Sequence, residues 1–255
     1  MKLRLLALST LALALAAFLH AENYPARETF SRTGAFDSAG KIVLENTNGN
    51  VVIRTWEKNE ILIEGEKSAK TDEELKLIEL TIDLKESGAV IKVHLPKRGG
   101  GLFSSNNIRA AVSFSLTVPA TAVLEKINVV NASVEIAGVR GSVNAESVNG
   151  RIRAHDLGGD VRLGTVNGEI DASSSVVAAG QKLSFHTVNG SIAVALPADA
   201  GVEFHSSVVN GSIDCDFPLG IQGRISGKRV AGKIGDGRAS LEIESVNGSI
   251  RVRQR

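Results

Sequence analysis

The chain has 255 residues, 43% of them apolar, with 29 Lys and Arg against 28 Asp and Glu for a formal net charge of +1. A balance this close to zero lacks the basic excess that nucleic acid or an anionic lipid surface requires of a partner. Cys215 is the single cysteine, so stability has to come from packing and backbone pairing rather than from an internal disulfide.

Residues 1–21 read as a secretory signal peptide. Lys2 and Arg4 precede an apolar stretch from Leu5 to Leu19, shorter than the roughly 20 residues of a spanning helix. Cleavage is expected after Ala21, leaving 27 basic and 28 acidic residues and no transmembrane segment; an uncleaved anchor is the alternative. No cysteine follows the apolar run to carry a lipid. Residues 22–35 carry little signal and are expected to form a loose leader.

From 36 to 255 a single domain is expected. Lys41–Leu44, Asn48-Gly49, Val51–Ile53 and Ile61–Ile63 look like an opening coil of alternating strand. The segment 64–107 reads as an excursion that caps one end. Within it, Thr71-Asp72-Glu73-Glu74 fits a capping box before a short helix over about 72–78. Leu80–Leu84 and Val90–Leu95 alternate about Glu86-Ser87-Gly88 as a hairpin. Lys97-Arg98-Gly99-Gly100-Gly101 reads as a loop, and Ala111–Val118 returns to strand.

Regular coils are expected over 108–255, where one motif keeps returning. It appears as Ser147-Val148-Asn149-Gly150, Thr165-Val166-Asn167-Gly168, Thr187-Val188-Asn189-Gly190, Val208-Val209-Asn210-Gly211 and Ser245-Val246-Asn247-Gly248. Weaker copies stand at Val130-Asn131-Ala132-Ser133 and Val230-Ala231-Gly232-Lys233. From Asn131 the steps are 18, 18, 22, 21, 21 and 16 residues, a period that signals stacked supersecondary units. Apolar and polar residues alternate on both sides of each Asn-Gly, the pattern of half-buried strands.

Asn-Gly admits two explanations. It is a preferred pair for a type I′ hairpin turn, which would give an antiparallel meander. In a parallel β-solenoid, Asn48, Asn131, Asn149, Asn167, Asn189, Asn210 and Asn247 would stack in register, with amides hydrogen-bonded as a ladder. Stacking accounts for repeated identity, whereas a turn alone would accept Asp-Gly or Gly-Gly equally. The expected fold is therefore all-β, a parallel β-solenoid with an N-terminal helix-plus-hairpin cap. Alternate Arg251, Arg253 and Arg255 on the last strand read as a guard on an exposed edge, the rival reading being a docking edge.

The Val-Asn-Gly-x-Ile repeats, with Glu45–Ile53 and Leu116-Thr117-Val118-Pro119 leading in, resemble a family of exported bacterial β-solenoid proteins labelled "putative adhesins" whose function is not established. The resemblance spans roughly 36–255 and implies a non-enzymatic role in the cell envelope, in the periplasm or at the cell surface.

Catalytic and metal motifs are missing: no Gly-x-Ser-x-Gly, His-Glu-x-x-His, phosphate loop or Cys-x-x-Cys. No cofactor is expected. Phe185-His186 and Phe204-His205 hold similar places in successive coils, so their imidazoles could lie close, with Asp214, Cys215 and Asp216 next along. Surface histidines beside a Phe layer are the plainer reading, because zinc needs three or four ligands. Asp214 and Asp216 share a strand face, a spacing too cheap to imply glycoside hydrolysis. Arg140, Arg151, Arg153 and Arg162 make a modestly basic patch, interrupted by Glu169 and Asp171. The reading reached is a non-catalytic module binding an envelope polysaccharide or surface protein; a polysaccharide lyase or hydrolase and an envelope-sensor domain are the alternatives.

Overall fold

The computed structural model describes residues 24–95, 109–218 and 228–255. The signal peptide and the Lys97–Gly101 loop lie outside the described residues. The elements in chain order are β1 (Ala26–Ala35), β2 (Lys41–Asn48), β3 (Val51–Trp56), β4 (Glu60–Ala69), α1 (Asp72–Lys76), β5 (Glu79–Lys85), β6 (Gly88–His94) and β7 (Ala110–Pro119). There follow β8 (Val123–Asn131), β9 (Val134–Ala137), β10 (Val143–Asn149), β11 (Ile152–Leu157), β12 (Val161–Asn167), β13 (Ile170–Ser174), β14 (Lys182–Asn189) and β15 (Ile192–Leu196). The last are β16 (Val202–Asn210), β17 (Ile213–Cys215), β18 (Arg229–Ile234), β19 (Ala239–Asn247) and β20 (Ile250–Gln254).

These strands form two mostly parallel sheets of ten, and neither closes into a barrel. Sheet A runs β1-β4-β7-β3-β9-β11-β13-β15-β20-β17, and sheet B runs β18-β16-β19-β14-β12-β10-β8-β2-β6-β5. The chain changes sheet at every Asn-Gly: β10 lies in sheet B and β11 in sheet A, β12 in sheet B and β13 in sheet A. Each such pair makes one layer. The inward residues of both sheets, such as Ile127, Leu163, Phe185 and Ile243 from one side and Ile136, Ile152 and Val252 from the other, merge into one core.

Each motif position has its own physical role. The Ser or Thr is buried, and its hydroxyl donates to the carbonyl just past the neighbouring corner: Ser147 to Ala132 O (3.0 Å), Thr165 to Gly150 O, Thr187 to Gly168 O and Ser245 to Gly190 O (3.2 Å each). The Asn amides form one run of hydrogen bonds. Asn131 Nδ2 donates to Asn48 Oδ1, Asn149 to Asn131, Asn167 to Asn149, Asn189 to Asn167, Asn247 to Asn189 and Asn210 to Asn247, all at 2.8–2.9 Å. The Gly is required by close approach. A Cβ on Gly150, Gly168, Gly190, Gly211 or Gly248 would stand 1.7–2.0 Å from a carbonyl oxygen of the adjacent layer. Of these five only Gly248 has positive φ, so the pair serves as a corner between sheets and not as a type I′ hairpin.

Replacing Asn149 by Ala strands the Asn131 Oδ1 and the Asn167 Nδ2 together. Water reaches this corner, so we expect a loss of about 1–2 kcal/mol by urea denaturation. Arg151→Ala removes only an exposed ion pair to Glu169 (2.5 Å) and should cost less than about 0.5 kcal/mol. Equal losses for the two variants would rule out a stabilising role for the amide run.

The N-terminal end departs from the layered pattern. Residues 26–35, expected as a loose leader, form β1 along the whole of β4, from Ala26↔Ala69 to Ala35↔Glu60. Ile61–Ile63 belongs to β4, antiparallel to β7, and not to the opening layer. The helix occurs at Asp72–Lys76, capped by Thr71, whose hydroxyl accepts from Glu74 N at 3.2 Å. The hairpin forms as β5 and β6 and extends sheet B beyond β2.

At the other end the layers depart from chain order. The last layer, β19 with β20, lies between β14/β15 and β16/β17. Over Ile250–Val252 the C-terminal strand is therefore not an edge, and Arg251 guards none there; Arg253 stands just past that pairing. The inserted position is well buried. Leu241, Ile243, Ile250 and Val252 are all but fully buried there, whereas in the outer layer β16 buries Val202, Phe204 and Val208 but Ile213 and Cys215 of β17 are only partly buried. Val230–Lys233, expected as a weak repeat, is β18, antiparallel to β16 on the outer side of sheet B. Ala231 has no amide to join the run.

Candidate functional site

The one motif position that packing does not require is the valine. Val130, Val148, Val166, Val188, Val246 and Val209 project outward from sheet B, each 38–50% exposed. Register places them, with Thr47, in a single column one residue before the Asn run. At about 4.8 Å per strand the column extends roughly 29 Å. Stacking along such a column asks for β-branched residues, and Thr47 meets that demand without being apolar. An apolar residue kept at six outward places in a row therefore answers to something other than the fold.

Beside the column lies a groove of about 480 Å³, lined among others by Glu45, Val130, Val148, Gly164, Val166 and Val188. The outward residues two places before the valines are Asn128, Glu146, Gly164, His186, Glu244 and Ser207. Gly164 leaves a gap in that row, and the His186 ring folds over it, with Nε2 2.2 Å from where a Cβ would stand. At the far end Glu45 accepts from Lys126 Nζ (2.5 Å) and pairs with Lys92 (3.5 Å). The hydrogen bond from Lys126 outweighs desolvation and holds the Glu45 carboxyl below its ordinary pKa, so the groove keeps this negative charge to a lower pH than a free carboxylate would.

The other constellations do not assemble. His186 pairs in register with Glu244 and His205 with Glu242, because β19 separates their strands; the imidazoles are neither adjacent nor in one column. Cys215 lies in sheet A, half-buried, with its thiol pKa pushed up chiefly by burial. Among the described residues no group of three or more His, Cys, Asp or Glu could hold a metal ion. The four arginines split between faces. Arg162 is on sheet B near Glu146 (3.9 Å), Arg151 pairs with Glu169, and Arg140 with Glu57 (3.6 Å). Arg153 stands on sheet A between Glu135 and Asp171, in a column that continues through Ala193 and Arg251 to Asp214. Alternating charge there gives a mixed, solvated face. The valine column was present in the sequence as the residue before each asparagine of the run except Asn48, but alternation alone did not tell which side of the sheet it faced.

The fold and this face define an all-β protein of two layered parallel sheets with one regular apolar stripe. No family model matches the chain, and no curated protein matches it. Among solved structures it is similar to a "putative cell adhesion protein" of Clostridium sporogenes, 18% identical, with a TM-score of 0.50, over 89% of this chain and all of that one. A "putative adhesin" of Bacteroides fragilis (15% identity, 89% and 98% covered, TM-score 0.31) and a "putative lipid binding protein" of Parabacteroides distasonis (13%, 88% and 97%, 0.34) also match. At these identities the likeness to the Clostridium protein is one of fold alone. Among the described residues no helix is long and apolar enough to cross a membrane.

Proposed function

We propose that this chain is an exported β-solenoid that acts as a non-catalytic, adhesin-like binding module of the cell envelope or surface, and that the outer face of sheet B is its contact surface. The carrying observation is the exposed valine column, which the fold does not need. Its aliphatic character favours a protein over a polysaccharide, since sugar-binding faces rely on aromatic platforms and this chain is only 4% aromatic. The leader at 1–21 supports the envelope assignment.

The test compares wild-type protein with the triple variant Val148→Thr, Val166→Thr, Val188→Thr in co-sedimentation with envelope protein fractions and, separately, envelope polysaccharide. Thr47 already occupies this column, so the variant should fold. Losing roughly 0.7 kcal/mol of partial burial at each valine predicts on the order of thirtyfold weaker retention by the protein fraction. An Arg153→Ser variant on sheet A should bind normally. Retention by polysaccharide alone would reassign the partner, shortened polymer would reverse the non-catalytic reading, and unchanged retention of the triple variant would remove the column from the site.

A further inference from the structure

The sequence holds six Asn-Gly pairs, at 48, 149, 167, 189, 210 and 247. This is the dipeptide in which an asparagine most readily loses its side-chain amide, because glycine leaves the following backbone nitrogen unhindered. The reaction needs that nitrogen free and the Asn side chain able to turn towards it. In the interior layers both are engaged. Gly150 N donates to Asn167 O (3.1 Å), while Gly168 N donates to Asn189 O, Gly190 N to Asn247 O and Gly248 N to Asn210 O (2.9 Å each). The Asn side chains of these pairs each give and receive a hydrogen bond in the amide run. Asn48-Gly49 is closed differently. Asn48 donates to Ala110 O (2.9 Å) and accepts from Asn131, and a Cβ on Gly49 would stand 2.4 Å from Val112 O of β7.

Asn210-Gly211 is held less than the others. Its layer is the last of the stack, so Gly211 N, like Gly49 N, has no partner among the described residues, and unlike Asn48 its side chain is held at one atom only. Asn210 gives a hydrogen bond through Nδ2, but among the described residues its Oδ1 receives none. The described contacts of β18 with this layer lie before the corner, at Ser207↔Arg229 and Val208 N to Lys228 O (2.9 Å). Exposure does not set this pair apart, since the asparagines at 131, 149, 167, 189, 210 and 247 are all exposed; the bonding does.

We propose that Asn210-Gly211 is the site at which this protein deamidates in its folded state. The Gly211 nitrogen attacks Asn210 Cγ and gives up its proton, and the side-chain amide departs as ammonia. Water then opens the five-membered imide at either carbonyl, leaving aspartate or isoaspartate at position 210. Either product loses the amide that donates to Asn247 Oδ1, so the change loosens the outermost layer first.

The full chain is held folded in mildly alkaline buffer, and in parallel unfolded in concentrated urea, and conversion is followed site by site by peptide mass mapping. In the folded sample Asn210 should convert on the order of tenfold faster than Asn149, Asn167 or Asn189, because a terminal layer opens more easily than an interior one. In urea the six sites should converge. Interior pairs or Asn48 converting as fast as Asn210 in the folded protein would overturn the proposal. So would an equal lead for Asn210 in urea, which would trace it to the flanking Val209 and Ser212 instead of to the stack.

Discussion

Gly190→Ala is expected to destabilise the protein by about 3 kcal/mol or more, a large share of the roughly 5–15 kcal/mol by which a domain is stable. The new methyl carbon would sit 1.7 Å from Gly168 O and 2.5 Å from its carbonyl carbon. Backbone is the obstacle here, so no side-chain rotation relieves it. The layers would have to separate, stretching Gly168 N to Asn189 O and Gly190 N to Asn247 O, both 2.9 Å, together with the amide bonds of Asn189. The control is Gly180→Ala. Gly180 has φ +81° with nothing within 4 Å of a Cβ, so alanine there should cost only the left-handed backbone penalty of about 1–2 kcal/mol. Urea midpoints for the two variants check the argument. If Gly190→Ala came out no worse than Gly180→Ala, close layer approach would not be the reason for the glycine.

Removing residues 239–255 is expected to abolish cooperative unfolding altogether. In a stack that followed chain order, trimming the last layer would expose one new end and cost little elsewhere. Here β19 and β20 hold β16 and β17 onto the rest of both sheets. Leu241, Ile243, Ile250 and Val252 go with them, all at most 1% exposed. At about 1.5–3 kcal/mol for each buried side chain the four together rival the whole stability of a domain. The point variant Leu241→Ala should itself cost about 2–5 kcal/mol. A truncated chain that still melted in one sharp transition would mean that β16 can re-pair directly with β14, Asn210 on Asn189, and that the inserted position is dispensable.

That possible re-pairing shows why the order of layers was not legible. The motif announced the layers because each of its letters obeys a local constraint: a hydroxyl that must reach a carbonyl, an amide that must meet its copy, a glycine with no room for Cβ. The same sameness hides which copy lies beside which, since Ser245–Gly248 and Val208–Gly211 fit either neighbour. Choosing between them takes the summed burial of whole layers, which sets Leu241, Ile243, Ile250 and Val252 against Val202, Phe204, Val208 and Ile213, two sets too alike for the motif to rank. The histidine pairing failed for this reason. β1 was missed on other grounds. Only Ala26 on it is buried, so it shows no apolar face, and it is a strand because β4 pairs along its full length. The faint signals were Phe30, whose ring meets Phe114 edge-on at 5.7 Å, and Gly65, which leaves space for it: a Cβ there would stand 2.3 Å from the Phe30 ring. The helix cap and the β5–β6 hairpin were readable because Thr71 and the Glu86-Ser87 turn act over a few residues.

Columns of identical asparagines and valines in register are also what a cross-β fibril is made of, so this protein must stop its own growth. The amide run has a direction: every Nδ2 donates towards the Asn48 end, and there the run turns into the chain, onto Ala110 O. At the other end, among the described residues, Asn210 Oδ1 is an acceptor that meets no donor. Asn48 itself lies inside sheet B, with β6 and β5 beyond it. A second copy therefore cannot bring its Asn48 onto Asn210, and on this count the ladder ends with one molecule.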